Sequence, residues 1–214
     1  MKYLTAGDNE YVSKSVIIAT GSEHKLLNIP GEEQFSGKGV SYCAVCDGAF
    51  FRNKEVIVIG GGDSAIEEAL YLSNLVSKVT IIHRRDELRA QKILRDRAFA
   101  KENIHFIWDS IPLEIKGERK VSSVEIRNVK TGEESSIPAD IFIYVGMLPQ
   151  TEDFKTLGIT NEVGYIPTNE KLETKVAGIF AAGDVREKEI RQVITAASDG
   201  AIAAQSAYNY VEGL

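Results

Sequence analysis

One junction constrains this chain more than anything else in it. The β-branched run Glu55-Val56-Ile57-Val58-Ile59 passes directly into Gly60-Gly61-Gly62, and a helical pattern follows from Ser64 to about Leu75. A second run, Lys78-Val79-Thr80-Ile81-Ile82, comes next, so the connection has the length that a βαβ unit requires. Gly60-Gly61-Gly62-Asp63-Ser64-Ala65 fits G-x-G-x-x-G/A in the strand-to-helix context that gives the pattern its meaning. The need behind it is space. The first glycine makes the turn, the second lets backbone N–H groups approach a pyrophosphate, and the small last residue lets helix and strand pack. Gly60, Gly62, Asp63, Ser64 and Ala65 are therefore candidate dinucleotide contacts, against the plain alternative of a glycine turn without a ligand.

The end of the second strand sharpens this reading. Where an NAD-specific fold presents an acidic residue to the ribose 2′-hydroxyl, this chain has His83-Arg84-Arg85, with Arg89 one helical turn on. Guanidinium groups suit a 2′-phosphate, because arginine offers a planar, permanently charged fork. The alternative is that these arginines pair with Asp86 and Glu87 on a solvated helix start. Their position relative to the glycines favours NADP(H).

Apolar runs alternate with helical patterns elsewhere too, the order of an α/β fold with a parallel sheet covered by helices. Val16 to Ala19 and Asp140 to Val145 read as buried strands, Ile104 to Trp108, Val121 to Asn128 and Glu134 to Ile137 as further strands, and Lys130-Thr131-Gly132 as a hairpin turn. A second helix is expected from Ala90 to Lys101, burying Ile93, Leu94, Ala98 and Phe99. A last helix from Ile190 to Val211 carries small residues at Val193, Ala196, Ala197, Gly200, Ala201 and Ala204, which permit close packing. Turn-rich segments suggest boundaries near residues 25 and 150.

Composition excludes several classes. The 25 lysines and arginines are outnumbered by 31 aspartates and glutamates, for a net charge of −6, which argues against a nucleic-acid binder. No apolar run approaches the ~20 residues of a membrane span. Met1-Lys2-Tyr3-Leu4 leads into Asp8, Asn9 and Glu10 rather than a secretory core, so the chain reads as soluble and intracellular.

Both cysteines fall in Tyr42-Cys43-Ala44-Val45-Cys46-Asp47. Structural zinc needs about four ligands, and the histidines, His24, His83 and His105, are dispersed, so no metal is expected. A static disulfide is disfavoured inside a cell, which leaves a dithiol/disulfide pair that cycles. Asp47 beside Cys46 is either a proton shuttle or a turn-forming aspartate. A hydride donor and a disulfide exchange electrons through a two-electron mediator, and flavin is the usual one.

Together, Ala19-Thr20-Gly21, Cys43-Ala44-Val45-Cys46-Asp47-Gly48, the Gly60 to Ala69 segment, His83-Arg84-Arg85-Asp86-Glu87-Leu88-Arg89 and Gly178-Ile179-Phe180-Ala181-Ala182-Gly183-Asp184 resemble the bacterial low-molecular-weight thioredoxin reductases, in that family's order and spacing. The resemblance implies a Rossmann-like, three-layer NADP-binding domain over residues 25–150, with residues 1–24 and 151–214 as parts of an incomplete FAD-binding domain. It implies electrons passing from NADPH to FAD, to Cys43–Cys46 and on to thioredoxin. Cys46 would engage the flavin, Cys43 attack thioredoxin and Asp47 protonate the departing thiolate. Asp184 would bind the FAD ribose, with Thr20, Gly21, Gly183, Arg191, Gln192 and Val193 lining the flavin site. The segments near Gly21 to Lys25 and near Gln150 would be hinges for a rotating NADP domain, and the family suggests a cytoplasmic homodimer.

One departure from that pattern matters. The family opens with its own G-x-G-x-x-G for the FAD pyrophosphate, and no such motif precedes Gly60. Weak FAD binding or none is expected, with apolar surface left on Val16 to Ala19 and on the last helix. Two other readings stand beside the reductase: an NADP(H)-binding module that catalyses nothing, and a related flavin disulfide reductase serving a peroxidase or acting as a dithiol oxidase.

Overall fold

The computed structural model describes residues Met1–Leu214. Along the chain run β1 (Lys2–Ala6), β2 (Asn9–Ser13), β3 (Val16–Ile18), β4 (Ser22–His24), β5 (Val40–Ser41), α1 (Ala44–Asp47), β6 (Glu55–Gly60), α2 (Asp63–Leu72), β7 (Lys78–Ile82), α3 (Lys92–Phe99) and β8 (Ile104–Ile107). Then come β9 (Ser110–Gly117), β10 (Val121–Asn128), β11 (Glu134–Ile137), β12 (Asp140–Tyr144), β13 (Met147–Pro149), β14 (Ile179–Ala181) and α4 (Val193–Glu212). Two compact units result: His24–Gly146, and Met1–Glu23 together with Met147–Leu214.

The His24–Gly146 unit is built on a parallel sheet of order β5-β12-β6-β7-β8. Val56, Ile57, Val58 and Ile59 are all buried, as a strand covered on both faces must be. Because successive side chains point to opposite faces, the same strands feed two cores. Val56, Val58, Val79, Ile81 and Phe142 join Ala65, Ile66, Ala69 and Leu72 of α2 and Leu94 and Ala98 of α3. Ile57, Ile59, Ile82, Ile141 and Ile143 meet Ile115, Val121, Val124 and Ile126 of the antiparallel sheet β11-β10-β9. The layers are helices, parallel sheet and antiparallel sheet.

Two details differ from expectation. In α3 only Leu94 and Ala98, an i, i+4 stripe, are buried, while Ile93 and Phe99 are 55% and 56% exposed. Each sits about one residue's rotation off the stripe, and the Phe99 ring lies against Phe106, with centroids 4.9 Å apart. Strand β9 was not anticipated, since Pro112 interrupts its pattern. It lies at the sheet edge, and Pro112 pairs with Ile126 where the register shifts, so the missing N–H costs no ladder bond.

In the other unit, β3 and β14 pair in parallel with Ile18 opposite Ala181. Ile18, Ile159, Ile166, Ile179, Ala181 and Val185 form one core, and Phe180, Leu172 and Ala182 pack with Ala203 and Ala207 of α4. The helix packs through only part of the expected set: Ala196 and Gly200 are half-buried, with Ala196 against the Gly183 turn. Its buried stripe is Asp199, Ala203 and Ala207, whereas Ala197, Ala201 and Ala204 are exposed and Val193 is 87% exposed. Asp199 decides the rotation, because its ion pairs with Arg186 and Lys188 turn that face inward. The β1–β2 hairpin and the β4–β13 pair complete the unit. No helix is long and apolar enough to cross a membrane.

Candidate functional site

Every strand of the five-stranded sheet runs the same way, so whatever follows each strand gathers at one edge. Tyr42-Cys43 follows β5, Tyr144 ends β12, Gly60-Gly61-Gly62 closes β6 and opens α2, and His83-Arg84-Arg85 follows β7. Ligands of open parallel sheets bind at this carboxyl edge. The two-residue strand β5 seats the cysteine motif there; it is too short for any periodicity to reveal.

The glycines are there for space. Gly60 has φ +152°, and a Cβ on it would meet the Tyr144 carbonyl oxygen and lie 2.7 Å from the Ala65 Cβ. A Cβ on Gly61 would enter the His83 ring, whereas one on Gly62 would meet nothing within 4 Å. Gly62 is the N-cap of α2 and provides no side-chain cap, which leaves the first-turn N–H groups pointing into open space. Asp63 is used differently from the other fingerprint residues. Its carboxylate accepts from the Gln91 amide and side chain at 2.7 and 3.1 Å, tying the arginine loop to α2, and Arg89 N donates to Gly61 O at 2.7 Å.

His83 is only 4% exposed, its Nε2 has no partner, and its ring meets Trp108 edge-on at 6.5 Å. Burial, then the charges of Arg89, Arg84 and Arg85, hold its pKa below the ordinary value, so it is neutral at pH 7. Arg84, Arg85 and Arg89 are exposed and none is in an ion pair. The nearby carboxylates are engaged elsewhere: Asp86 with Lys130 at 2.8 Å and Glu87 with Arg95 at 2.6 Å. Lys130 also holds Asp109 at 3.0 Å. The three arginines thus form an uncompensated cationic rim beside the glycine turn.

Cys43 and Cys46 form a disulfide with Cα atoms 5.3 Å apart. Cys43 is the N-cap of α1, and its Sγ accepts from Cys46 N at 3.1 Å. Cys43 is half-buried and Cys46 exposed. Ser41 Oγ accepts from Cys43 N at 3.1 Å and donates to Asp47 Oδ2 at 2.7 Å, which fixes the carboxylate against the redox turn. Ala44 N donates to the Tyr144 hydroxyl. Tyr42 stacks on His24 with ring centroids 5.0 Å apart and donates at 3.0 Å to Glu32. Glu32 is a buried carboxylate that also accepts from Leu27 N and Asn28 N.

The β3–β14 pair makes a second carboxyl edge in the other unit. Parallel pairing puts Ala19-Thr20-Gly21 and Ala182-Gly183-Asp184 side by side, with Ala182 N donating to Ile18 O at 2.9 Å. Thr20 Oγ1 donates to Gln150 O, and Gln150 N returns a bond to Gly21 O at 2.9 Å. Gly183 has φ +77° and donates its N–H to Asp199 Oδ2 at 3.0 Å. Arg186 and Lys188 each reach Asp199 at 2.8 Å. Burial raises the Asp199 pKa, but these partners outweigh it and hold the carboxyl below its ordinary value. Asp184 Oδ1 and Arg191 Nε are buried without a protein partner. The Arg191 guanidinium lies 4.3 Å from the Tyr165 ring centre, and Gln192 caps α4 through a capping box with Thr195.

Sequence reading missed Ser41, Tyr144 and Asp199. Ser41 and Tyr144 sit at strand ends whose neighbours only the sheet order reveals, and Asp199 lies in an alanine-rich stretch read as packing surface.

The chain matches the pyridine nucleotide-disulphide oxidoreductase family over residues 2–200. It is 57% identical over 215 residues to the thioredoxin reductase of Bacillus subtilis, covering 100% of this chain and 68% of that protein. The crystal structure of thioredoxin reductase from Streptococcus pyogenes superposes with TM-score 0.94 at 54% identity, covering 99% of this chain and 70% of that one. Thioredoxin reductase from Giardia duodenalis gives TM-score 0.90 at 38% identity, over 96% and 68%.

Proposed function

The chain belongs to the pyridine nucleotide-disulphide oxidoreductases and, within them, to the thioredoxin reductases, and from that premise we propose that it carries electrons from NADPH through FAD to the Cys43–Cys46 disulfide and on to the disulfide of thioredoxin. The observation that carries this reading is the Cys43–Cys46 disulfide at the same sheet edge as the glycine turn and the arginine rim.

The residues present fit NADP(H), and they fit FAD in part, since the glycine turn expected for the FAD pyrophosphate is not among them. NADP(H) would be held by the free first-turn N–H groups of α2 and by Arg84, Arg85 and Arg89, with neutral His83 packing Gly61 in place. FAD would be held at the β3–β14 edge, where Asp184 Oδ1 lies buried without a partner and Asp199 fixes the Gly183 turn. Thr20, Gly21, Arg191, Gln192 and Val193 complete the set proposed for it. FAD, when bound, supplies two-electron chemistry between hydride and sulfur.

On reduction the Cys43–Cys46 bond breaks. The Cys43 thiolate then attacks the thioredoxin disulfide to form a mixed disulfide, and Cys46 displaces thioredoxin's dithiol as the Cys43–Cys46 bond re-forms. Asp47, held against the redox turn by Ser41, is the group that relays a proton from solvent to the departing thiolate. The units 24–146 and 1–23 with 147–214 would be the NADP and FAD domains, with β4 and β13 as hinge strands. A cytoplasmic homodimer rests on the family likeness.

The test is the visible absorption of the purified chain with and without FAD, followed by NADPH and then oxidised thioredoxin. Flavin bands that bleach on NADPH and return on thioredoxin support the reading. A chain that binds NADPH but stays colourless with FAD overturns it in favour of a nucleotide-binding module.

A further inference from the structure

Glu68 and Tyr144 form an ionisable pair that the proposed electron path does not use. Tyr144 ends β12, and its hydroxyl accepts from Ala44 N, the first amide between the two cysteines. The Glu68 carboxyl, which α2 brings in from the other side, acts electrostatically on the phenol. Glu68 Oε2 is buried and has no partner. The charged groups that act on the pair are Glu67 on the same helix and Asp47 from the redox helix, and no cation is among them. Burial, then Glu67, pushes the Glu68 pKa above its ordinary value, against the lowering effect of the Tyr144 hydroxyl. Burial and the charges of Glu68 and Asp47 push the Tyr144 phenol up, so it stays a donor.

A half-buried carboxyl with one oxygen shut off from solvent and no cation beside it takes up a proton more readily when further negative charge appears nearby. Reduction supplies that charge. A dithiol reductant gives two electrons and two protons: the S–S bond breaks, one sulfur keeps a proton, and the other remains a thiolate.

We propose that Glu68, acting through Tyr144, is a positioning residue of the redox helix that binds the second proton when the Cys43–Cys46 disulfide is reduced to a thiol and a thiolate. The charge on Glu68 then opposes reduction at alkaline pH and ceases to oppose it once the carboxyl is protonated. This rests on the redox role proposed for the disulfide. Its test needs no flavin, nucleotide or thioredoxin, so the two proposals fail separately.

The experiment equilibrates the whole chain with reduced and oxidised dithiothreitol between about pH 5.5 and pH 8, then traps thiols and reads the reduced fraction by mass. Glu68→Gln removes the carboxylate charge with little change of shape. It should favour the reduced form about threefold at the alkaline end, roughly 15 mV for a two-electron couple, with the gap to the wild type narrowing as pH falls. Glu68→Asp keeps the charge and should keep the wild-type pH dependence. Tyr144→Phe removes the hydroxyl that joins the Ala44 amide to the Glu68 side, so the effect of Glu68→Gln should shrink below about twofold in that background. An effect of equal size at every pH, or none at any, would overturn the proposal, as would Glu68→Asp behaving like Glu68→Gln.

Discussion

Asp199 offers the sharpest test of how the Gly183-Asp184 turn is held. Asp199→Asn keeps the shape and an acceptor for Gly183 N, but it leaves Arg186 and Lys188 facing a neutral group. Those side chains are only 14% and 12% exposed, so water compensates them poorly. Removing one partner of a buried ion pair costs about 3–5 kcal/mol. The retained hydrogen bonds reduce this to roughly 2–4 kcal/mol, a urea midpoint shift of about 1–2 M at an m-value near 2 kcal/mol/M. The two units can be followed separately. Trp108, the single tryptophan, lies in the His24–Gly146 unit, while the 20-residue α4 lies in the other. Far-UV circular dichroism should therefore show an earlier loss of helix while the tryptophan transition stays put. The folded-state pKa of Asp199 is depressed, so its stabilisation is complete above the unfolded value near 3.9 and is lost as pH falls through the folded value. The gap between variant and wild type should persist at neutral pH and close below about pH 4. Coincident transitions, or a variant as stable as wild type at pH 7, would refute the assignment of Asp199 as the residue that fixes this turn.

Three further outcomes are expected. Arg84→Ala with Arg85→Ala should weaken NADPH binding at least tenfold and leave NADH binding nearly unchanged, since charge-assisted bonds to phosphate are worth about 1.5–3 kcal/mol each; Trp108 fluorescence during nucleotide titration measures both, and an equal loss for the two nucleotides would contradict the 2′-phosphate assignment. Gly61→Ala drives a methyl group into the His83 ring and should cost about 1–3 kcal/mol and most NADPH affinity. His83→Ala in the same chain should restore part of the stability, and a double variant no better than Gly61→Ala alone counts against that contact. The depressed pKa of His83 means that the unfolded chain binds the proton more readily. Stability should be full above about pH 6.5 and fall as pH drops toward the folded value, and replacing His83 by Asn should flatten that slope in urea titrations from pH 7 to 5.5.

The parts of this fold that were legible in the sequence are those with short-range causes. A continuous apolar run must be a strand covered on both faces, and glycines between strand and helix must make a tight turn, so β6, α2 and β7 stand where their residues predict. The Lys130-Thr131-Gly132 turn joins β10 to β11 for the same local reason. What was illegible depends on pairing across the chain. Pro112 conceals β9 because only an edge position with a register shift tolerates it. The rotation of α4 follows Asp199, whose partners Arg186 and Lys188 lie in a loop with no periodic signal. The freedom of Arg84, Arg85 and Arg89 was also invisible, because it depends on Lys130 engaging Asp86 and Arg95 engaging Glu87.

Parallel sheet order explains why the redox turn carries a proton-binding neighbour at all. With β12 between β5 and β6, the residue that ends β12 has the cysteine motif on one side and α2 on the other. A side chain at position 144 long enough to reach both must satisfy the Ala44 amide and meet whatever α2 presents, which is Glu68. An apolar residue there would leave the Ala44 N–H without its acceptor at the first turn of α1, and a cation would neutralise Glu68 and remove its response to thiolate charge. A phenol does neither. It fills the place, accepts from the Ala44 amide, and stays protonated because burial and two carboxylates hold it so. The same sheet edge that gathers the glycine turn and the disulfide therefore also places Tyr144 between them, and Tyr144 is the residue through which the helix bearing the glycine turn meets the backbone of the cysteine turn.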